Sequence, residues 1–190
     1  MPFTVTFKLT TPSEGMSMVT TLLPAVELSP GIYDEGLLTV LDSELAMNLA
    51  REWQWLIQDD ARPIAATGFG DFFFFSEKHQ AAYFIQVQKG KCTFVDRSID
   101  VFFNDFLCIE GVRKEVLSQE RMSAVAAHAG ALEYGQCYIA KPWECIGGSG
   151  KVDTFGKGDL HVYANLMSQT LKQWMDAAKV QAASDEKPGN

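Results

Sequence analysis

Four phenylalanines stand in a row at Phe72-Phe73-Phe74-Phe75, and this run constrains the fold more than any other feature of the chain. Successive side chains of a strand point to opposite faces of its sheet. A run that is apolar on both faces has to be covered on both, which predicts a central strand with helices over at least one side. The neighbouring sequence extends the sheet. Residues 64–67 and 71–76 read as strands flanking Gly68-Phe69-Gly70. Residues 82–87 follow the polar turn Glu77-Lys78-His79-Gln80, and Lys91–Asp96 follows the Lys89-Gly90 turn. Short strands joined by short polar turns predict antiparallel hairpins.

Helical periodicity surrounds this centre. Asp42 or Ser43 caps a helix with Leu45, Leu49, Trp53 and Leu56 on one face, stopping near Gln58 before Asp59-Asp60 and Pro63. Ser98 caps a second, with Ile99, Phe102, Phe103, Phe106 and Leu107 at helical spacing. A third starts near Ser118, turns Met122, Val125, Ala126 and Ala129 inward and stops at Gly130. Gln136–Ala140 reads as a strand, and Asp159 opens a last helix with Leu160, Tyr163, Met167, Leu171 and Trp174 on one face. At the N-terminus, residues 3–10 alternate Phe3, Val5, Phe7 and Leu9 with polar residues, which predicts a half-buried strand. Residues 36–41 read as another. Between them Pro12, Pro24, Pro30 and Gly31 break the chain into short pieces. Strands, helix, sheet and then helices predict a single α+β domain over residues 1–178. Its mainly antiparallel central sheet carries flanking helices, and residues 179–190 form a polar, disordered tail.

Charge and motif tests exclude several function classes. With 24 acidic against 16 basic residues the net charge is −8, which repels nucleic acid and anionic membranes and attracts a basic protein. No apolar run approaches the roughly 20 residues that span a bilayer. Met1 to Lys8 has no basic region followed by an apolar stretch, so no secretion signal is expected. Cys92, Cys108, Cys137 and Cys145 form no Cys-x-x-Cys pair, and His79, His128 and His161 stand far from one another in sequence, which predicts reduced thiols and no metal site. Gly147-Gly148-Ser149-Gly150-Lys151 fails as a phosphate loop at Cys145 and Val152 and reads as a turn. Gly68-Phe69-Gly70-Asp71 lacks the third glycine of a dinucleotide fingerprint. Asp71, Glu133 and Glu144 are carboxylates whose spacing demands no acid–base pair, and His128 and His161 read as structural or surface residues. No catalytic residue and no cofactor are therefore expected. The acidic groups Asp34, Glu35, Asp59 and Asp60, with Trp55 as an exposed aromatic anchor, are the candidate partner-binding residues.

One resemblance spans residues 36–173. It runs through Gly36-Leu37-Leu38, Ala65-Ala66-Thr67-Gly68-Phe69-Gly70-Asp71-Phe72-Phe73-Phe74 and Phe102-Phe103-Asn104-Asp105. It continues in Leu132-Glu133-Tyr134-Gly135-Gln136-Cys137-Tyr138 and Cys145-Ile146-Gly147-Gly148. In order and spacing these segments resemble the bacterial GAD-like family, specifically the C-terminal domain of immunity proteins for type VI secretion DNase effectors. The resemblance implies a cytoplasmic protein that binds and neutralises a cognate toxin, and it supplies no catalytic residues. A non-enzymatic adaptor or regulatory protein-binding domain is the alternative expectation. An enzyme with an unrecognised site is the third.

Overall fold

The computed structural model describes residues 2–15, 28–57 and 60–185, with side chains as far as Lys179. One helical turn, α1 (Phe3–Thr6), precedes a seven-stranded sheet. The strands are β1 (Leu9–Pro12), β2 (Gly31–Tyr33), β3 (Leu38–Val40), β4 (Ala61–Thr67), β5 (Phe72–Ser76), β6 (Ala81–Gln86) and β7 (Lys91–Asp96). Each pairs antiparallel with the next, so spatial order follows chain order. Helix α2 (Ser43–Ile57) bridges β3 and β4, capped by Asp42, whose carboxylate accepts the Leu45 N–H at 2.9 Å. After β7 come α3 (Ile99–Val101), a π turn over Phe102–Phe106, α4 (Glu110–Glu115) and α5 (Gln119–Ala129). A two-stranded ribbon, β8 (Gln136–Ala140) with β9 (Phe155–Asp159), leads into α6 (Leu160–Asp185).

The phenylalanine run does what its two apolar faces require. Phe73 and Phe75 enter one core with Leu38, Val40, Phe84, Phe102 and Phe103. Phe72 and Phe74 enter the other with Leu49, Trp53, Ile85, Tyr163 and Met167. The first core lies under α1, the π turn and α5; the second lies under α2 and α6. Complete burial of a Phe side chain contributes roughly 2–3 kcal/mol, so β5 is a major apolar contributor to both layers. The architecture is the expected α+β domain, a mainly antiparallel sheet with helices on both faces. Among the described residues, no helix is long and apolar enough to cross a membrane.

Several local expectations change. Residues 3–10 are not one strand: Phe3 and Phe7 stack at 4.7 Å between ring centroids, four residues apart on a helical turn, while Val5 is 63% exposed. The fully buried face of α2 is Ala46, Leu49, Trp53 and Ile57; Leu49 and Trp53 are as expected, and Leu45 and Leu56 pack half-buried at its margin. Its stop near Gln58 lies outside the described residues. Ser98 caps α3 as expected, accepting the Val101 N–H at 3.3 Å, but the chain then widens to a π turn closed by Leu107 N–H donating to Phe102 O at 3.0 Å. That turn seats Phe102 and Phe103 together in the first core. Helix α4 buries no residue and so left no apolar period to read. Strand β9, Phe-Gly-Lys-Gly-Asp, has no apolar alternation to mark it in sequence, and Gly158 leaves room for Ile139, whose Cδ1 would lie 2.4 Å from a Cβ there. Pro63 sits inside β4, paired with Phe74 beside a register shift and short of the β3 pairing at Ala65–Thr67. The last helix continues to Asp185, past residue 178 where a disordered tail is expected; residues 186–190 lie outside the description.

Candidate functional site

Two adjoining regions occupy the end of the sheet where β3 and β5 begin. The first is a packed corner. Gly68, Phe69 and Gly70 make a tight turn from β4 to β5, closed by Thr67 N–H donating to Asp71 O at 2.7 Å. Gly70 has a left-handed backbone, and a Cβ there would lie 2.8 Å from the Tyr163 ring and 3.3 Å from Cys137 Sγ. The Asp71 carboxylate accepts the Val87 N–H at 2.8 Å, tying the start of β5 to the chain just beyond β6. It is hemmed in on nearly every side and keeps a partly exposed edge. Burial pushes its carboxyl up to about 7, against the Val87 bond and Lys89, with Glu144 adding to the rise. Burial also pushes up the Cys137 thiol and the Tyr163 phenol. Neither is activated as a nucleophile, because both are held in their neutral forms.

A strap over residues 142–150 closes this corner. Cys145 N–H donates to Gln88 Oε1 at 3.0 Å, and the Trp143 ring meets Tyr163 edge-on at 6.1 Å. The Arg121 guanidinium lies over Phe69 at 5.3 Å and over Phe155 at 4.9 Å. It donates to Glu144 Oε1 and to Gly150 O, fastening the strap to α5. Tyr138 N–H donates to Gly68 O at 2.7 Å. Three stretches distant in sequence thus meet here: Gly68 to Asp71, Cys137-Tyr138 and Cys145 with the glycines after it. The Gly-rich piece lies between β8 and β9.

The second region is an open trough centred on Asp34 and Glu35. Both residues have left-handed backbones, φ 46° and 56°. The Asp34 carboxylate accepts the Lys8 N–H at 3.0 Å and lies 3.4 Å from Arg113 Nη2; that guanidinium also covers the Phe7 ring at 5.4 Å. Glu35 N–H donates to Thr10 Oγ1 at 3.1 Å, and its side chain is exposed. One cleft of about 450 Å³ includes Lys8, Asp34, Arg113 and Met122 in its lining. A second, of about 510 Å³, runs along Thr10, Thr11, Ile32, Ala126, Ala127 and Leu132.

The remaining candidates stand apart from this end. Asp60 lies at the far end of β4, about 20 Å away at 3.3 Å per residue along a seven-residue strand. It accepts from Ser76 Oγ and Lys78 N–H, each at 2.7 Å, and the Ser76 bond holds its carboxyl below the usual range. Asp59 lies outside the described residues. Trp55 is half-buried, beside the fully buried Trp53. Trp53 and Trp55 both turn to α6 and stack at 6.0 Å; their indole N–H groups donate to Ala164 O and Ser168 Oγ, one helical turn apart. His161 is not a surface residue: it is half-buried between α6 and α2, with Nε2 3.7 Å from Glu52. Among the described residues no group of three or more His, Cys, Asp and Glu could hold a metal ion. All four cysteines are free. In sequence Asp71 stands out as one of three carboxylates and as the end of Gly68-Phe69-Gly70-Asp71, and neither pattern signals its burial. Thr10, Ser123 and Ala127 of the trough carry no sequence signal, since small residues split between β1 and α5 form no pattern.

The geometry defines an antiparallel α+β domain with one closed, partly titratable corner and one open trough. The sequence matches no protein-family model, and no curated protein matches it. The chain is similar in structure to Atu4351 from Agrobacterium tumefaciens, with a TM-score of 0.61 and 14% identity, covering 87% of this chain and 86% of that one. At that identity the likeness concerns the fold alone.

Proposed function

We propose that this chain is an immunity protein that binds and neutralises a cognate antibacterial toxin, a nuclease effector of type VI secretion, in the cytoplasm of its producer. The observation that carries the reading is the convergence in the corner. Three of the stretches behind the family resemblance, separated by up to about eighty positions, gather around Asp71 and brace one another through Arg121 and Tyr138. Two further features fit. An inhibitor needs a surface and not a reaction centre, and the thiol and phenol of the corner are held neutral by burial. A nuclease is basic around its phosphate-binding site, and a chain of net charge −8 is steered towards it. The test is co-expression with the product of the adjacent toxin gene. A complex that survives purification, with growth restored, is the expected result; neither complex nor rescue at any expression level refutes the reading.

A further inference from the structure

The two clefts beside the corner share Thr10, Glu35 and Ser123, so they form one trough between strand β1 and helix α5. Among the described residues strand β1 is an edge of the sheet, and all four of its residues are exposed. An edge strand offers main-chain groups that a further strand can pair with. Lys8 and Pro12 bracket it and oppose indiscriminate pairing, which leaves Leu9 to Thr11 as the usable edge. Below lies an apolar floor, Ile32 and Leu132, both buried. Ala126 and Ala127 form a low wall that leaves space for a side chain. Glu35 is the one ionisable residue lining the inner cleft, and its carboxylate has no ion pair among the described residues. Asp34, next to it, is already engaged by Lys8 N–H and Arg113. The left-handed backbone and the Thr10 bond fix where Glu35 stands.

We propose that this trough docks an extended, basic segment of the partner. Such a segment places a Lys or Arg against Glu35 and a Val-sized side chain between Ile32, Ala126, Ala127 and Leu132, while its backbone runs beside β1. The unpaired carboxylate and the net charge of −8 favour a basic occupant, and the edge strand favours an extended one over a helix. The inference rests on the toxin-binding reading and names the surface that performs it.

The experiment uses the full chain and the product of the adjacent toxin gene. Ala127→Trp fills the inner cleft from an exposed helix position, and Glu35→Lys reverses its charge. Met47→Trp, on the exposed side of α2, is the control of equal bulk. Each trough variant is expected to raise Kd at least tenfold, with the control unchanged. Glu35→Gln is expected to reduce the salt dependence of binding. Amide exchange at Leu9 to Thr11 is expected to slow in the wild-type complex, and that measurement decides if a variant fails to fold. Wild-type binding with both trough variants within twofold of it, and no protection at β1, overturns the trough while leaving the immunity reading intact. Wild type that neither binds nor rescues overturns the immunity reading, and the trough falls with it.

Discussion

The corner around Asp71 and the trough around Glu35 share one helix, yet they are built on opposite principles. Helix α5 gives Arg121 to the corner, where the guanidinium lies over two rings and reaches a carboxylate and a carbonyl. Further along, it gives Ser123, Ala126 and Ala127 to the trough, where Ser123 and Ala127 are exposed and Ala126 is half-buried against the first core. Met122 lies between the two: it lines the outer cleft and would meet a Cβ placed on Gly36 or Gly68. The distinctive sequence motifs lie in the corner, and the accessible surface lies in the trough. Motif residues here maintain a shape, and the shape presents a neighbouring surface. Substitutions should therefore cost stability in the corner and binding in the trough.

The largest expected effect is at Gly70. An Ala there has to hold a left-handed backbone, costing about 1–2 kcal/mol, and to displace the buried Tyr163 ring, costing roughly 1–3 kcal/mol more. Gly70→Ala should lower unfolding free energy by about 4 kcal/mol in urea titration. A loss below about 1 kcal/mol would mean that the corner yields as readily as the trough.

These two regions also show what could be read from sequence. Phe72 to Phe75 announced a strand buried on both faces because period two leaves no other arrangement. The Ser98, Gly130 and Asp159 helix boundaries were readable because capping is local chemistry. The trough was not readable. Glu35 stands out as an acid, but its partners in the lining come from β1, β2 and α5, and only the register of the sheet together with the packing of α5 brings them together. Trp55 misled for a related reason: helical spacing puts residues two apart on different faces, yet long indoles on both sides of α2 bend towards the same neighbour. The N-terminal alternation failed because Phe3 and Phe7 satisfy period two and period four alike. Burial against Phe103, with Phe3 N–H donating to Asn104 Oδ1, selects the helical turn.

Asp71 tests whether the corner is as dry as its packing indicates. Its carboxyl is raised from the ordinary value near 4 to about 7 in the folded chain. A raised acid binds its proton more tightly when folded. Its contribution is therefore complete below pH 4, declines as pH rises towards 7, and is lost above that. Asp71→Asn keeps an acceptor for Val87 N–H and removes the titration. The variant should match wild type at pH 4 and exceed it by roughly 2 kcal/mol at pH 8, less than the full linkage value of about 4 because solvent reaches one edge. Parallel stability–pH curves for the two proteins would place the corner in water, as the trough is. Arg121→Lys probes the same contrast more gently. It retains the charge beside Glu144 but loses the planar face over Phe69 and Phe155, which should cost about 1 kcal/mol and raise amide exchange in the 142–150 strap.

The smallest expected effect on stability is the one that most separates the two regions. Ala127 is exposed on α5 and points over an open cleft, so a tryptophan there meets solvent and not packed atoms. Replacing the best helix former with an aromatic costs only a few tenths of a kcal/mol, and the indole recovers part of that by lying on Ile32 and Leu132. Ala127→Trp should therefore shift the unfolding free energy by less than about 0.5 kcal/mol, while the same substitution weakens partner capture at least tenfold. A substitution that leaves the fold intact and abolishes binding identifies a surface used by a partner. A large loss of stability from it would show instead that α5 is packed along its whole length, and the distinction between corner and trough would disappear.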